Sequence, residues 1–121
     1  MKTYKTNQIR NIALLGNAGS GKTTLSEEML YQGGVIERKG TVENKNTSSD
    51  YNEVEHENLN SVYSSLLYTE LDNHKINIID TPGSDEFIGQ VVAAFNSTEA
   101  GLMLINGQNG VEVGTEIQSR Y

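Results

Sequence analysis

The chain has 121 residues, 36% of them hydrophobic, with no cysteine, two histidines and a formal charge of −7. That length suits one domain of modest size, and the low apolar share predicts a long polar loop or an incomplete core. The acidic balance speaks against indiscriminate nucleic-acid binding through a basic face and against a sequence-specific DNA partner, while the cysteine and histidine counts exclude disulfides, thiolate metal sites and a histidine-rich metal centre. No run approaches transmembrane length, and Met1 to Thr6 leads into polar Asn7 and Gln8 instead of an apolar signal segment. A cytoplasmic protein without a membrane partner is expected.

Residues 1–10 form a polar lead-in, and a first buried strand is expected over 11–16, around Ile12-Ala13-Leu14-Leu15. It runs into Gly16-Asn17-Ala18-Gly19-Ser20-Gly21-Lys22-Thr23-Thr24, which has the spacing G-x-x-x-x-G-K-[ST] of a phosphate-binding loop. Glycines let successive backbone N–H groups converge on phosphate oxygens without side chains in the way. Lys22 would reach the β- and γ-phosphates, and the Thr23 hydroxyl would bind Mg²⁺. The helix that follows, expected over 22–32, would offer its N-terminal N–H groups to the same anion. Leu25, Met29 and Leu30 are expected to form its apolar face, and Gly33-Gly34 stops it. A chance glycine-rich turn would lack this strand and helix on either side.

From Val35 to Asn60 apolar residues are scarce and no period persists, so a long mobile loop is expected, with one helical turn near Asn52–Glu57. Val62 to Leu71 is rich in strand formers, Asp72-Asn73-His74-Lys75 reads as a turn, and Ile76-Asn77-Ile78-Ile79 as the next strand. So short a link predicts an antiparallel hairpin, with His74 a solvated turn residue. Asp80-Thr81-Pro82-Gly83 closes that strand at its carboxyl end. A helix is expected from Ser84, with Phe87, Val91, Val92 and Phe95 on its buried face. A further buried strand is expected over 101–106, a loop over 107–110, and the opening of a helix from Val111.

This alternation predicts an α/β fold, a mostly parallel sheet with one antiparallel strand and flanking helices. Ligands in such sheets sit outside the carboxyl ends of the strands, where the loop at 16–23 and the Asp80 segment would converge on one nucleotide. Alone, Asp-Thr-Pro-Gly is as consistent with a simple turn. One hairpin after a phosphate loop, its carboxylate is expected to be the second Mg²⁺-linked group, with the Gly83 N–H close to a γ-phosphate.

On these residues the chain resembles the G domain of translational GTPases, elongation factor G in particular. The resemblance is carried by Gly21-Lys22-Thr23-Thr24-Leu25, by Ile76 through Gly83, and by Gly110-Val111-Glu112-Val113 followed by Thr115-Glu116. It implies a partial phosphate-loop NTPase fold, GTP and GDP with Mg²⁺ as ligands, and a ribosomal partner for the full-length protein. It also implies a first-switch segment over about 35–61, with Ser61 at the position of a Mg²⁺-contacting threonine, and a second-switch segment over 80–90. Residues implied to hold nucleotide or metal are then Gly16 through Thr24, Ser61, Asp80 and Gly83, with Lys22 and Ser84 at catalytic positions.

Departures from the family pattern cluster around hydrolysis. Gly19 replaces a common aspartate, and Asn58-Leu59-Asn60-Ser61 replaces Arg-Gly-Ile-Thr. Ser84 stands where the family places the histidine that orients the attacking water, and Ala18 and Asn60 stand where apolar residues fence it. Nucleotide binding with slow hydrolysis is one reading; a working GTPase with neutral substitutions is the other. No Asn-Lys-x-Asp motif occurs in 102–121. The expectation is therefore the N-terminal part of a GTP-binding domain that stops before its guanine-reading motif. Strand 101–106 would then be an apolar edge through which such a fragment self-associates, or which its own tail covers.

Overall fold

The computed structural model describes residues 2–40, 64–83 and 88–121. After a single 3-10 turn at Thr6–Gln8, the elements are β1 (Ile9–Leu15), α1 (Lys22–Gln32), β2 (Ser65–Leu71), β3 (His74–Asp80), α2 (Ile88–Phe95), β4 (Ala100–Met103) and α3 (Val113–Gln118). The sheet order is β2-β3-β1-β4. β1 pairs in parallel with β3, from Ile9↔Lys75 to Leu14↔Asp80, and with β4, from Ile12↔Ala100 to Leu15↔Met103. β2 and β3 are antiparallel. The fold is thus the expected mixed α/β sheet with one antiparallel pair.

β1 is central because it is apolar on both faces. Leu14 packs with Ile78 and with Leu30 of α1, whereas Ala13 and Leu15 pack with Val91 and Ala94 of α2. Successive side chains of a strand point to opposite faces, so the helices cover the two faces of the sheet. Truncating fully buried Leu14 to alanine would cost about 2–5 kcal/mol. The hairpin turn is made by Asp72 and Asn73, both at positive φ (47° and 62°), the pattern of a type I′ turn whose twist matches the strands.

Several expectations are corrected. β1 begins two residues earlier than expected and ends at Leu15, leaving Gly16 in the loop. His74 opens β3 instead of lying in the turn, and its ring Nδ1 lies 2.8 Å from Asp72 O. The buried stripe of α1 is Lys22, Ser26, Glu27 and Leu30, with Leu25 and Met29 only partly covered. Polar groups can line it because they have partners: Ser26 Oγ donates to Thr23 O at 2.9 Å, and Glu27 Oε1 accepts from Gly40 N at 2.8 Å. Val35 and Ile36 pack into the core on the α1 side, and Lys39 pairs with Glu28 at 2.8 Å. Residues 35–40 are therefore fastened to α1, not loose. On α2 the buried residues are Val91 and Ala94, with Val92 only partly covered. β4 is shorter than expected and largely exposed: among the described residues only β1 pairs with it, and Leu102 keeps 45% of its surface. α3 starts at Val113, after Glu112, whose N–H donates to Thr115 Oγ1 at 3.3 Å. The expected turn near Asn52–Glu57, residues 62–63 of the expected strand, Phe87 and the helix start at Ser84 lie outside the described residues.

Candidate functional site

At the carboxyl end of β1 the chain needs backbone that only glycine adopts readily. Gly16, Gly19 and Gly21 have φ of +138°, +77° and +95°. A Cβ on Gly16 would also strike Leu104 O and approach Ser20 Oγ to 2.8 Å. Between them a turn closes with Ser20 N donating to Asn17 O at 3.1 Å. Gly21 precedes α1 without a side-chain cap, so the amides of the first helical turn face the loop without helical acceptors. Gly16 is buried, whereas Ala18, Gly19 and Thr24 are exposed, so the loop is fixed at its base and open at its tip.

Lys22 folds back under the loop. Its Nζ donates to Gly16 O at 2.7 Å and to Asn17 O at 3.0 Å, and the residue is 6% exposed. Burial pushes its pKa from 10.5 down to about 8, only partly offset by the charge of Asp80. Such a shift corresponds to roughly 3 kcal/mol set against the charged form. Two further polar atoms in the loop, Asn17 Oδ1 and Ser20 Oγ, are buried with no hydrogen-bond partner among the described residues. The buried Lys22 ammonium and the Ser20 hydroxyl can both donate, and so fit an anion that accepts from them, whereas Asn17 Oδ1 calls for a donor.

β3 delivers the second segment to the same place. Asp80 is 1% exposed, and its Oδ2 accepts from the Thr23 hydroxyl at 2.9 Å. Thr81, fully buried, locks the segment to β1 by donating its hydroxyl to Leu14 O at 2.6 Å. Gly83 lies against the loop backbone: Ala18 N donates to Gly83 O at 3.1 Å, and a Cβ on Gly83 would collide with Ala18 N and Asn17 C. Only glycine allows that approach. Thr23 and Asp80 place a hydroxyl and a carboxylate oxygen together beside the loop, and such hard oxygen donors fit Mg²⁺, which takes few protein ligands and completes its shell with phosphates and water.

The structure therefore brings together Gly16 through Thr24, Asp80 and Gly83. Asn60, Ser61 and Ser84 lie outside the described residues. Sequence reasoning missed two side chains that touch the loop. Gln118 Oε1 accepts from Gly16 N at 2.7 Å and its Nε2 donates to Gly16 O at 3.4 Å, while Asn106 Nδ2 donates to Gly19 O at 3.2 Å. Neither falls within a motif, and neither carries a local signal that could have singled it out.

Residues 7–121 match the family model of the elongation factor Tu GTP-binding domain. The chain is 36% identical over 110 residues to the tetracycline resistance protein TetP of Clostridium perfringens, covering 91% of this chain and 17% of that protein. It is 34% identical over 111 residues to peptide chain release factor 3 of Streptococcus sanguinis, covering 88% of this chain and 22% of that protein. A crystal structure of a Thermus thermophilus protein superposes with a TM-score of 0.90 at 36% identity, covering 93% of this chain and 17% of the other. The chain thus spans about a fifth of the length of these relatives. With a phosphate-loop geometry at the end of β1, an Asp-Thr-Pro-Gly segment docked against it and a family match over nearly its whole length, the chain belongs to the elongation factor Tu GTP-binding domain family of translational GTPases.

Proposed function

We propose that residues 16–24, with Asp80 and Gly83, bind GTP and GDP together with Mg²⁺, and that the full-length protein is an elongation factor G-like GTPase acting on the ribosome in the cytoplasm. The observation that carries this reading is the convergence of Lys22, Thr23, Asp80 and Gly83 on one side of a glycine loop whose buried polar atoms await an acceptor or donor. Lys22 and the loop amides would hold the phosphates, and Thr23 and Asp80 the ion. Mg²⁺ bound there would neutralise charge that develops on the phosphates. Gly83 O now accepts the Ala18 N–H, so turning the Gly83 N–H to a γ-phosphate would rearrange this contact and pull on the segment that follows. The first-switch segment read over about 35–61, past the fastened residues 35–40 and with Ser61 as a further candidate ligand of the ion, would report nucleotide state in the same way. Among the described residues no helix is long and apolar enough to cross a membrane.

A second reading is a switch that binds nucleotide with little hydrolysis, in the manner of a ribosomal-protection or release-type factor. It is favoured by Ser84, a short uncharged residue where the family places its water-orienting histidine. Losing one such positioning group typically costs about 10²-fold or more in rate. The test is single-turnover GTP hydrolysis by the full-length protein with and without ribosomes, beside a hydrolysing elongation factor G. Slow hydrolysis that Ser84→His only partly restores supports the second reading. Turnover equal to that of the reference factor supports the first.

A further inference from the structure

Gln118 is a polar side chain placed where a polar side chain needs a reason. It sits in the last turn of α3, is 1% exposed, and reaches a residue 102 positions earlier in the chain. Its amide meets both backbone polar atoms of Gly16: Oε1 accepts from Gly16 N at 2.7 Å, and Nε2 donates to Gly16 O at 3.4 Å. Gly16 lies just beyond the last paired residues of β1, Leu15↔Met103, so among the described residues no strand partner serves its N–H. The forked donor and acceptor of a glutamine amide substitute for the missing strand. The same Gly16 O accepts the Lys22 ammonium at 2.7 Å. A second amide from the segment after β4 braces the middle of the loop, Asn106 Nδ2 donating to Gly19 O at 3.2 Å.

We infer that Gln118 is a positioning residue of the phosphate loop: by gripping both backbone polar atoms of Gly16 it fixes the carbonyl on which Lys22 rests, and so sets how tightly the loop holds nucleotide phosphates. This rests on the assignment of residues 16–24 as the phosphate loop. Gln118 touches no substrate atom; it acts through Gly16 and Lys22. It also ties α3 to the loop, so nucleotide affinity and the docking of α3 are coupled, each favouring the other.

A merely structural glutamine would change how much protein folds, whereas a positioning glutamine changes how well the folded protein binds. The experiment is therefore a titration of the purified full-length protein with a fluorescent guanosine diphosphate, reading Kd and stoichiometry separately. Gln118→Met keeps length and bulk but neither hydrogen bond, and should weaken binding by about tenfold or more at unchanged stoichiometry. Gln118→Glu keeps the shape and the acceptor for Gly16 N but loses the donor, and should weaken binding by a smaller factor. If Gln118→Met does not fold, Gln118→Glu decides alone. Wild-type Kd in every variant that folds, with or without a fall in stoichiometry, overturns the inference. Lys22→Ala runs alongside: loss of binding there with wild-type Kd in the Gln118 variants removes only the role of Gln118, whereas wild-type binding by Lys22→Ala removes the phosphate-loop assignment and this inference with it.

Discussion

At the amino end of β1, polar groups satisfy one another. Asn11 receives Asn77 Nδ2 on its Oδ1 at 2.8 Å, and gives its backbone N–H and side-chain N–H to Glu99 at 2.7 and 2.9 Å. The row crosses β3, β1 and the approach to β4, and the two N–H bonds hold the Glu99 carboxyl below the usual carboxylate range. At the carboxyl end of the same strand, Lys22 is buried with its charge disfavoured, and Asn17 Oδ1 and Ser20 Oγ lack partners among the described residues. One strand thus has a self-contained end and an end that a ligand would complete. Polar density alone does not mark a site; incomplete polar satisfaction does.

That contrast can be broken most severely at Lys22. Lys22→Met should weaken nucleotide binding by about 10²-fold or more, since charge-assisted bonds to phosphate are lost. It should also raise the thermal midpoint of the nucleotide-free protein, because a buried charge is removed. A fall in both quantities would show that Lys22 is structural. At the proposed ion site, Asp80→Asn and Thr23→Ala should each cost about tenfold or more in affinity when Mg²⁺ is present and far less in chelator. Equal losses under both conditions would remove the ion from this place.

The pH dependence of Lys22 sharpens the same point. In the free protein its pKa of about 8 lies below the ordinary 10.5. Phosphates bind the charged form, so above about pH 8 binding must take up a proton and affinity should fall. Folding stability runs the other way. Between these two values the unfolded chain holds the proton more tightly, so the Lys22 contribution to stability improves as pH rises through the window. Parallel titrations of affinity and thermal midpoint from pH 7 to 10 would show opposite slopes, and Lys22→Met should lose the Lys22 component of both. At the self-contained end, Asn11→Leu should lower stability by about 1–3 kcal/mol and leave nucleotide Kd within about twofold of wild type. A large change in Kd would mean the two ends are not independent.

The smallest effect concerns the sheet edge. Among the described residues β4 is paired only with β1, and Leu102 in it and Ile105 just after it are half-exposed. A polypeptide of these 121 residues should associate through it, and Leu102→Lys should reduce that association in sedimentation measurements.

The parts of this site that the sequence made legible are those written in local backbone. Gly16, Gly19 and Gly21 are needed for their φ values or clearance, and Gly83 for its contact with Ala18, so a motif with correct spacing encodes the geometry directly. The two-residue turn at Asp72-Asn73 fixed the antiparallel pair for the same reason. Less legible were features set by partners far along the chain. Leu25 and Met29 look like the core face of α1 until buried Ser26 and Glu27 are seen to have hydrogen-bond partners. The run Leu102 to Ile105 looks buried until β4 proves to be the edge. Gln118 carries no local signal, because its meaning lies 102 residues away at Gly16.

The most direct test of the site is equilibrium binding of a non-hydrolysable GTP analogue to the full-length protein, with and without Mg²⁺, for wild type and Lys22→Ala. One nucleotide per chain, tightened by Mg²⁺ in wild type and lost in Lys22→Ala, is the expected result. Binding by Lys22→Ala as tight as wild type, in either condition, would contradict the assignment of residues 16–24.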